Sequence, residues 1–215
     1  MNEPKVDYMF PIPVYSISRG SELDSSEKKD IEDIIKGGLR FDGMHSFSDN
    51  SYIFNTKLKR IKEFCEQHLK IYVKKIINPK EDLDLYITQS WVNVTKPGER
   101  HQTHCHPNSV VSGAFYIETD IDQKLSFYDP NAKMKHVLKL DPKIPTFWNS
   151  NAWVYTVGNA QLLLFPSWID HGVEPNEKQT KDVISISFNT FVRGTLGTQI
   201  DLTELVLYQG EQSEQ

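Results

Sequence analysis

The sequence holds only two cysteines, Cys65 and Cys105, in 215 residues. Two thiols exclude a disulfide framework, so packed side chains must supply the stability. This usage fits a reducing, cytoplasmic setting, with both thiols acting as small buried hydrophobes. No apolar stretch approaches the roughly 20 residues that a membrane-spanning helix needs. The opening Met1-Asn-Glu-Pro-Lys-Val-Asp has neither the basic nor the apolar region of a secretory leader. Positive charge is short as well: 24 Lys and Arg face 29 Asp and Glu, a formal net charge of −5. Without a basic stripe, nucleic acid is not the expected partner. Internal repeats are missing, and the only biased tract is a polar tail over about 210–215.

What is present divides into two patterns, expected to form a single domain over 1–215. Pro11 and Pro13 confine the apolar stretch Met9 to Ile17 to a sheet edge. Ser25 to Lys36 reads as a short helix stopped by Gly37-Gly38, and 39–54, rich in Gly, Ser, Asp and Asn, as loop. Leu58, Ile61, Cys65, Leu69, Tyr72, Val73 and Ile76 recur at helical spacing, which predicts a helix from Thr56 to Ile77, ended by Asn78-Pro79. This helical support covers about 22–78. From about 83 to 193 the period changes to two. Leu83 to Val94, Ser112 to Glu118, Leu125 to Tyr128, His136 to Leu140, Trp153 to Val157, Gln161 to Phe165 and Asp182 to Val192 read as strands separated by turn signals. The expected fold class is mainly β with N-terminal helices, an antiparallel sandwich or jelly roll.

Four of the seven histidines fall in two places, His101-Gln-Thr-His104-Cys-His106-Pro-Asn108 and the distant His171. On an extended chain His104 and His106 point one way and Cys105 the other. Two imidazoles converging with a third from a late strand can hold a divalent transition metal and leave one side of it open. His101, three residues before His104, is expected to face away as an outer hydrogen-bonding or surface residue. No carboxylate stands where a two-histidine, one-carboxylate site would have one; that position is His106, with Asn108, Asp129 and Asp170 as weaker candidates.

With these residues in view, the chain resembles the small 2-oxoglutarate/Fe(II)-dependent oxygenases, in particular a group of short bacterial and viral members. The resemblance is carried by His104-Cys-His106-Pro, Ser112-Gly113-Ala-Phe-Tyr116 and Phe127-Tyr-Asp129-Pro130. It continues through Gly158 to Phe165-Pro-Ser, His171-Gly-Val173-Glu-Pro175 and Ile184-Ser-Ile-Ser-Phe-Asn189. It implies a double-stranded β-helix, Fe(II) held by His104, His106 and His171, and 2-oxoglutarate as cosubstrate. The reaction it implies is hydroxylation of a small-molecule or peptide substrate with O₂, releasing succinate and CO₂. One position departs: an Arg that binds the far carboxylate of 2-oxoglutarate is replaced by Val183. An apolar residue cannot pair with a buried carboxylate. Lys181 or Lys139 is the expected replacement, with Tyr116, Ser185 and Asn189 as hydrogen-bonding residues. Two other readings stay open: a three-histidine iron dioxygenase that uses no oxoacid, and a non-catalytic cupin-like metal-binding protein. Edge strands in such folds leave room for a homodimer.

Overall fold

A computed structural model describes residues 4–81, 83–132 and 142–207. The expected strand His136–Leu140, and Lys139 with it, lie outside these residues. In chain order the strands are β1 (Tyr15–Ser18), β2 (Leu39–Phe41), β3 (Ser46–Ser48), β4 (Asp84–Thr95), β5 (His101–His104) and β6 (Val111–Glu118). They continue with β7 (Lys124–Tyr128), β8 (Ala152–Thr156), β9 (Gln161–Pro166), β10 (His171–Val173), β11 (Val183–Leu196) and β12 (Leu205–Leu207). Two helices, α1 (Ser25–Lys36) and α2 (Lys59–Tyr72), precede β4.

Local chemistry sets the helix ends. The Asp24 side chain accepts the Ser26 and Glu27 N–H groups, and the Glu27 carboxylate accepts the Asp24 N–H at 3.0 Å. These reciprocal bonds satisfy donors that the first turn of α1 would leave bare. Gly37 ends α1 where expected. α2 begins at Lys59 rather than Thr56, because Leu58 takes a left-handed φ of 60° and gives its N–H to Asp30 Oδ2 at 2.9 Å. After Tyr72 the helix widens into a π-helical turn over Val73–Ile77.

The larger sheet runs β1-β9-β6-β11-β4-β3-β2, with β12 added to β11; the smaller runs β5-β10-β7-β8. All ladders between these strands are antiparallel. Alternation splits the side chains of the larger sheet between two cores. Phe115, Leu162, Leu164, Ile186 and Phe188 pack with Ile61, Cys65 and Leu69 of α2 on one face. Ala114, Tyr116, Leu163 and Phe165 face Leu125, Phe127 and Val173 of the smaller sheet on the other. Two sheets closed face to face over such a core make a jelly roll. At Gly113 a Cβ would sit 2.1 Å from Cζ of Phe188, so only glycine lets that ring lie flat on β6.

The segment 39–54 is not all loop. Asp42 Oδ1 accepts the Met44 and His45 N–H groups and closes a hairpin of β2 and β3, followed by a 3-10 turn at Ile53–Asn55. Its Gly, Ser and Asp content carries no period-two signal, because the hairpin is short and extends the larger sheet at its edge. The two prolines before β1 restrict it to Tyr15–Ser18, paired only with β9.

Candidate metal centre

His171 lies on β10, opposite His104 of β5 on one side and Phe127 of β7 on the other. The β5–β10 register is irregular: His104 pairs with His171, but His101 pairs with Val173. Three steps on β5 thus match two on β10, a bulge that turns His101 back toward the cavity. The expectation that His101 faces away is therefore corrected: it lines the same cavity as His104. Its Nε2 bonds Thr95 Oγ1 at 2.7 Å, and its ring stacks on that of His45 with 3.7 Å between centroids. His106 falls past the end of β5, where its N–H donates to the Ser167 carbonyl at 2.8 Å. Ser167 is fixed in turn by Ser112 Oγ at 2.8 Å and Ser109 Oγ at 2.7 Å, and Ser112 donates to Asn189 Oδ1 at 3.0 Å. Asn189 does not line the cavity; it belongs to this buried network beneath the histidines.

His104, His106 and His171 each offer a ligand nitrogen, and these nitrogens lie within 4.8 Å of one another. Nε2 of His106 and Nε2 of His171 are 3.2 Å apart. His171 Nδ1 bonds the Ile169 carbonyl at 3.0 Å, and His104 Nδ1 bonds the Gln102 carbonyl at 2.6 Å. A carbonyl only accepts, so each Nδ1 carries the proton and each Nε2 presents a lone pair. Burial, then His171 and His104, pushes His106 down to about 3. Burial pushes His171 down to about 4, against the Ile169 carbonyl, which raises it. Two neutral imidazoles with nitrogens facing across 3.2 Å can share a single proton or a metal ion. Nitrogens each about 2.1 Å from a metal and at right angles lie about 3 Å apart, so the spacing suits a transition metal.

No carboxylate joins the three histidines among the described residues. Asp129 Oδ1 accepts the Asn131 N–H at 2.9 Å in a turn. Asp170 and Asn108 are exposed, and none of these three lines the cavity.

The cavity between the sheets has a volume of about 450 Å³, within the range of small-ligand sites. Trp91 stands beside the histidines, its ring centroid 6.0 Å from that of His106. Deeper in, Tyr116, Ser185 and Val183 line the wall, with Asn93 bonded to Ser187 Oγ at 2.9 Å and to Ser185 Oγ at 3.4 Å. Lys181 is not brought to this wall; its Nζ pairs with Glu118 Oε1 at 3.0 Å on the exposed side of the sheet. Strand phase placed Lys181 in line with Val183, but the strand starts only at Val183, so the phase does not extend to it. Three lining residues had no signal in the sequence. His45 and Arg40 arrive on the unrecognised β2–β3 hairpin, and Gln123 precedes β7 in a stretch without pattern.

Residues 89–189, which span the three histidines, Tyr116 and Ser185, match the model of a family described as putative 2OG-Fe(II) oxygenase. The matched stretch is similar to the 2OG-Fe(II) oxygenases. A 2OG-Fe(II) oxygenase-family oxidoreductase from Burkholderia pseudomallei superposes with a TM-score of 0.55 at 8% identity, covering 82% of this chain and 83% of that one. HygX from Streptomyces hygroscopicus, solved with nickel and 2-oxoglutarate bound, gives 0.54 at 10% identity over 83% and 82%. A prolyl hydroxylase from Trichoplax adhaerens, in complex with a hypoxia inducible factor peptide fragment, gives 0.57 at 12% identity over 83% of each chain. At these identities the likeness shows the fold alone. No protein of curated function matches the sequence. No helix among the described residues is long and apolar enough to cross a membrane.

Proposed function

We propose that the chain is an Fe(II)- and 2-oxoglutarate-dependent hydroxylase with His104, His106 and His171 as its metal ligands. The observation that carries this is the convergence of three imidazoles, their ligand nitrogens within 4.8 Å of one another, at a cavity inside the stretch that matches the oxygenase family. Iron with 2-oxoglutarate supplies the oxygen chemistry, in which the oxoacid is decarboxylated to succinate and one oxygen atom passes to the substrate.

The chain's own residues bind, orient and exclude. The Gln102 and Ile169 carbonyls hold the His104 and His171 tautomers so that both Nε2 lone pairs face inward. Three protein nitrogens leave other positions of an iron ion open to oxoacid and O₂. Leu125, Phe165 and Val173 wall the cavity and keep water from its deep part. Tyr116 and Ser185 offer hydroxyls to the oxoacid. The β2–β3 hairpin, through Arg40, Asp42, His45 and Phe47, forms one side of the mouth, where substrate enters. One similar structure was solved with hygromycin B and another with a peptide fragment. A small molecule or a peptide side chain is accordingly the substrate class for a mouth of this kind. Both cysteines are free, Cys65 buried and Cys105 exposed rather than buried as expected, and two unpaired thiols support a reducing cytoplasm as the working compartment.

The all-histidine donor set also suits an iron dioxygenase that needs no oxoacid; the family match over 89–189 favours the oxoacid. Incubation with Fe(II), O₂ and 2-oxoglutarate tests the choice. Succinate formed in proportion to oxygen consumed is the expected result. Oxygen uptake that needs Fe(II) but ignores 2-oxoglutarate would overturn it.

A further inference from the structure

On β11 the cavity-lining residues Ser187, Ser185 and Val183 form a ladder of depth. Ser187 lies opposite Trp91 and Ala114, Ser185 opposite Asn93 and Tyr116, and Val183 opposite Thr95. Since Trp91 adjoins His106, the Ser187 level is the level of the metal site. Two residues along a strand span about 7 Å, and a five-carbon dicarboxylate is about 6 Å long. An oxoacid held at the histidines by its keto-acid end would therefore carry its far carboxylate to the level of Ser185, with Val183 one step beyond.

No cation stands there among the described residues. Among the described residues Arg40 is the only lysine or arginine that lines the cavity. It sits on β2, three strands across the sheet from β11, about 14 Å at normal strand spacing. Its Nε is taken by Asp49 Oδ1 at 2.7 Å and its Nη2 by the Asp49 carbonyl at 2.9 Å.

Gln123 lines the cavity from the side of the smaller sheet, just before β7 and two residues before the lining residue Leu125. It is 2% exposed, lines the cavity, and its Oε1 has no hydrogen-bond partner. Its backbone is fixed, because the Gln123 carbonyl accepts the Val157 N–H at 2.9 Å. A buried amide left without partners is costly, and native proteins keep few. A half-turn about the last side-chain bond exchanges the oxygen and the NH₂, so the same place offers a donor to an acceptor that arrives.

We propose that Gln123, with the Tyr116 and Ser185 hydroxyls, holds the far carboxylate of the oxoacid by uncharged hydrogen bonds. This rests on the oxygenase reading above. Burial raises the Tyr116 hydroxyl above its usual range, so it keeps its proton as a donor. Ser185 Oγ accepts Asn93 Nδ2 at 3.4 Å, which leaves its own O–H to donate. Two or three such donors are enough to favour the ionised form of a carboxylate. Because Gln123 acts on the second carboxylate alone, it sets selectivity between dicarboxylic and monocarboxylic 2-oxoacids.

The test is anaerobic titration of the Fe(II)-loaded protein with 2-oxoglutarate and with 2-oxovalerate, which lacks the far carboxylate, read by calorimetry. Gln123→Leu is expected to weaken 2-oxoglutarate roughly tenfold, the size of one hydrogen-bond contribution, and to leave 2-oxovalerate unchanged. Val183→Arg is expected to tighten 2-oxoglutarate and not 2-oxovalerate. A Gln123→Leu protein that still binds 2-oxovalerate, and binds 2-oxoglutarate as the parent does, overturns the proposal and leaves the oxygenase reading intact. A parent that takes up Fe(II) but neither oxoacid overturns both. Where Gln123→Leu does not fold, Gln123→Asn and Tyr116→Phe carry the same comparison.

Discussion

Nε2 of His106 and Nε2 of His171 face each other across 3.2 Å, each on a neutral ring. Without a cation only one proton can bridge them, and a metal replaces it with two bonds. His171→Ala is therefore expected to abolish metal uptake and turnover, a larger loss than the ten- to hundredfold typical of removing an outer hydrogen-bond partner. His106→Asp restores a two-histidine, one-carboxylate set and is expected to keep metal binding. Calorimetric titration with Fe(II) or Mn(II) checks both. Wild-type binding by the His171→Ala protein would remove these residues from the site.

Metal should also stabilise the fold. A ligand at a hundredfold over its Kd contributes about 2.7 kcal/mol, which corresponds to roughly 5–10 °C for a chain of this size. Thermal unfolding with Mn(II) and then with excess chelator should show a rise and its full reversal. Equal midpoints in both conditions would mean that no metal is held in the native state.

Acid should weaken the metal-free protein through His101 and His45. Burial, then the neighbouring His45, pushes His101 down to about 3, and burial lowers His45. In the unfolded chain both titrate near 6.5. Above that pH both states are neutral and the stability is complete. Below it the unfolded chain takes up protons that the folded rings refuse, so stability falls progressively toward pH 3. Thermal midpoints of the metal-free protein should drop between pH 7.5 and 5, and less steeply in His101→Phe. A profile as steep in His101→Phe as in the parent would show that His101 does not contribute.

Gly113→Ala drives a methyl group into the Phe188 ring. Overpacking of this kind costs about 1–3 kcal/mol. Phe188→Leu added to it should recover part of the loss, because the two positions touch and their effects do not add. Urea unfolding of the two single variants and the double variant measures this.

Glu27 serves α1 twice: its Oε2 accepts the Asp24 N–H at 3.0 Å, and its Oε1 pairs with Arg19 Nη2 at 2.8 Å. Both side chains of the pair are buried. Glu27→Ala should cost about 3 kcal/mol, since it leaves the Arg19 charge buried and alone. Glu27→Gln keeps the cap and should cost less. Denaturant titration separates the two.

Much of this was readable along the chain. The helix at Ser25–Lys36 and the strands of the jelly-roll core carry their own periodicity, and the expected set His104, His106 and His171 does converge. The β2–β3 hairpin is hidden because its strands, Leu39–Phe41 and Ser46–Ser48, are three residues each, too short to show a period amid Gly-, Ser- and Asp-rich neighbours. Spacing alone turns His101 away from His104, and the bulge that reverses this leaves no mark in composition. Of the two expected cations, Lys139 lies outside the described residues, and Lys181, though in phase with Val183, lies before the strand and pairs with Glu118.

By itself, then, the sequence determined what is local: helix caps, period-two strands, the spacing of the histidines, and the apolar residue at Val183. Only the tertiary structure decided what stands around them. The β5–β10 bulge, the carbonyls that set the histidine tautomers and the arrival of Gln123 and Ser185 in one cavity all depend on strand pairing between distant segments. Pairing register is a property of two strands together, and neither strand states it alone.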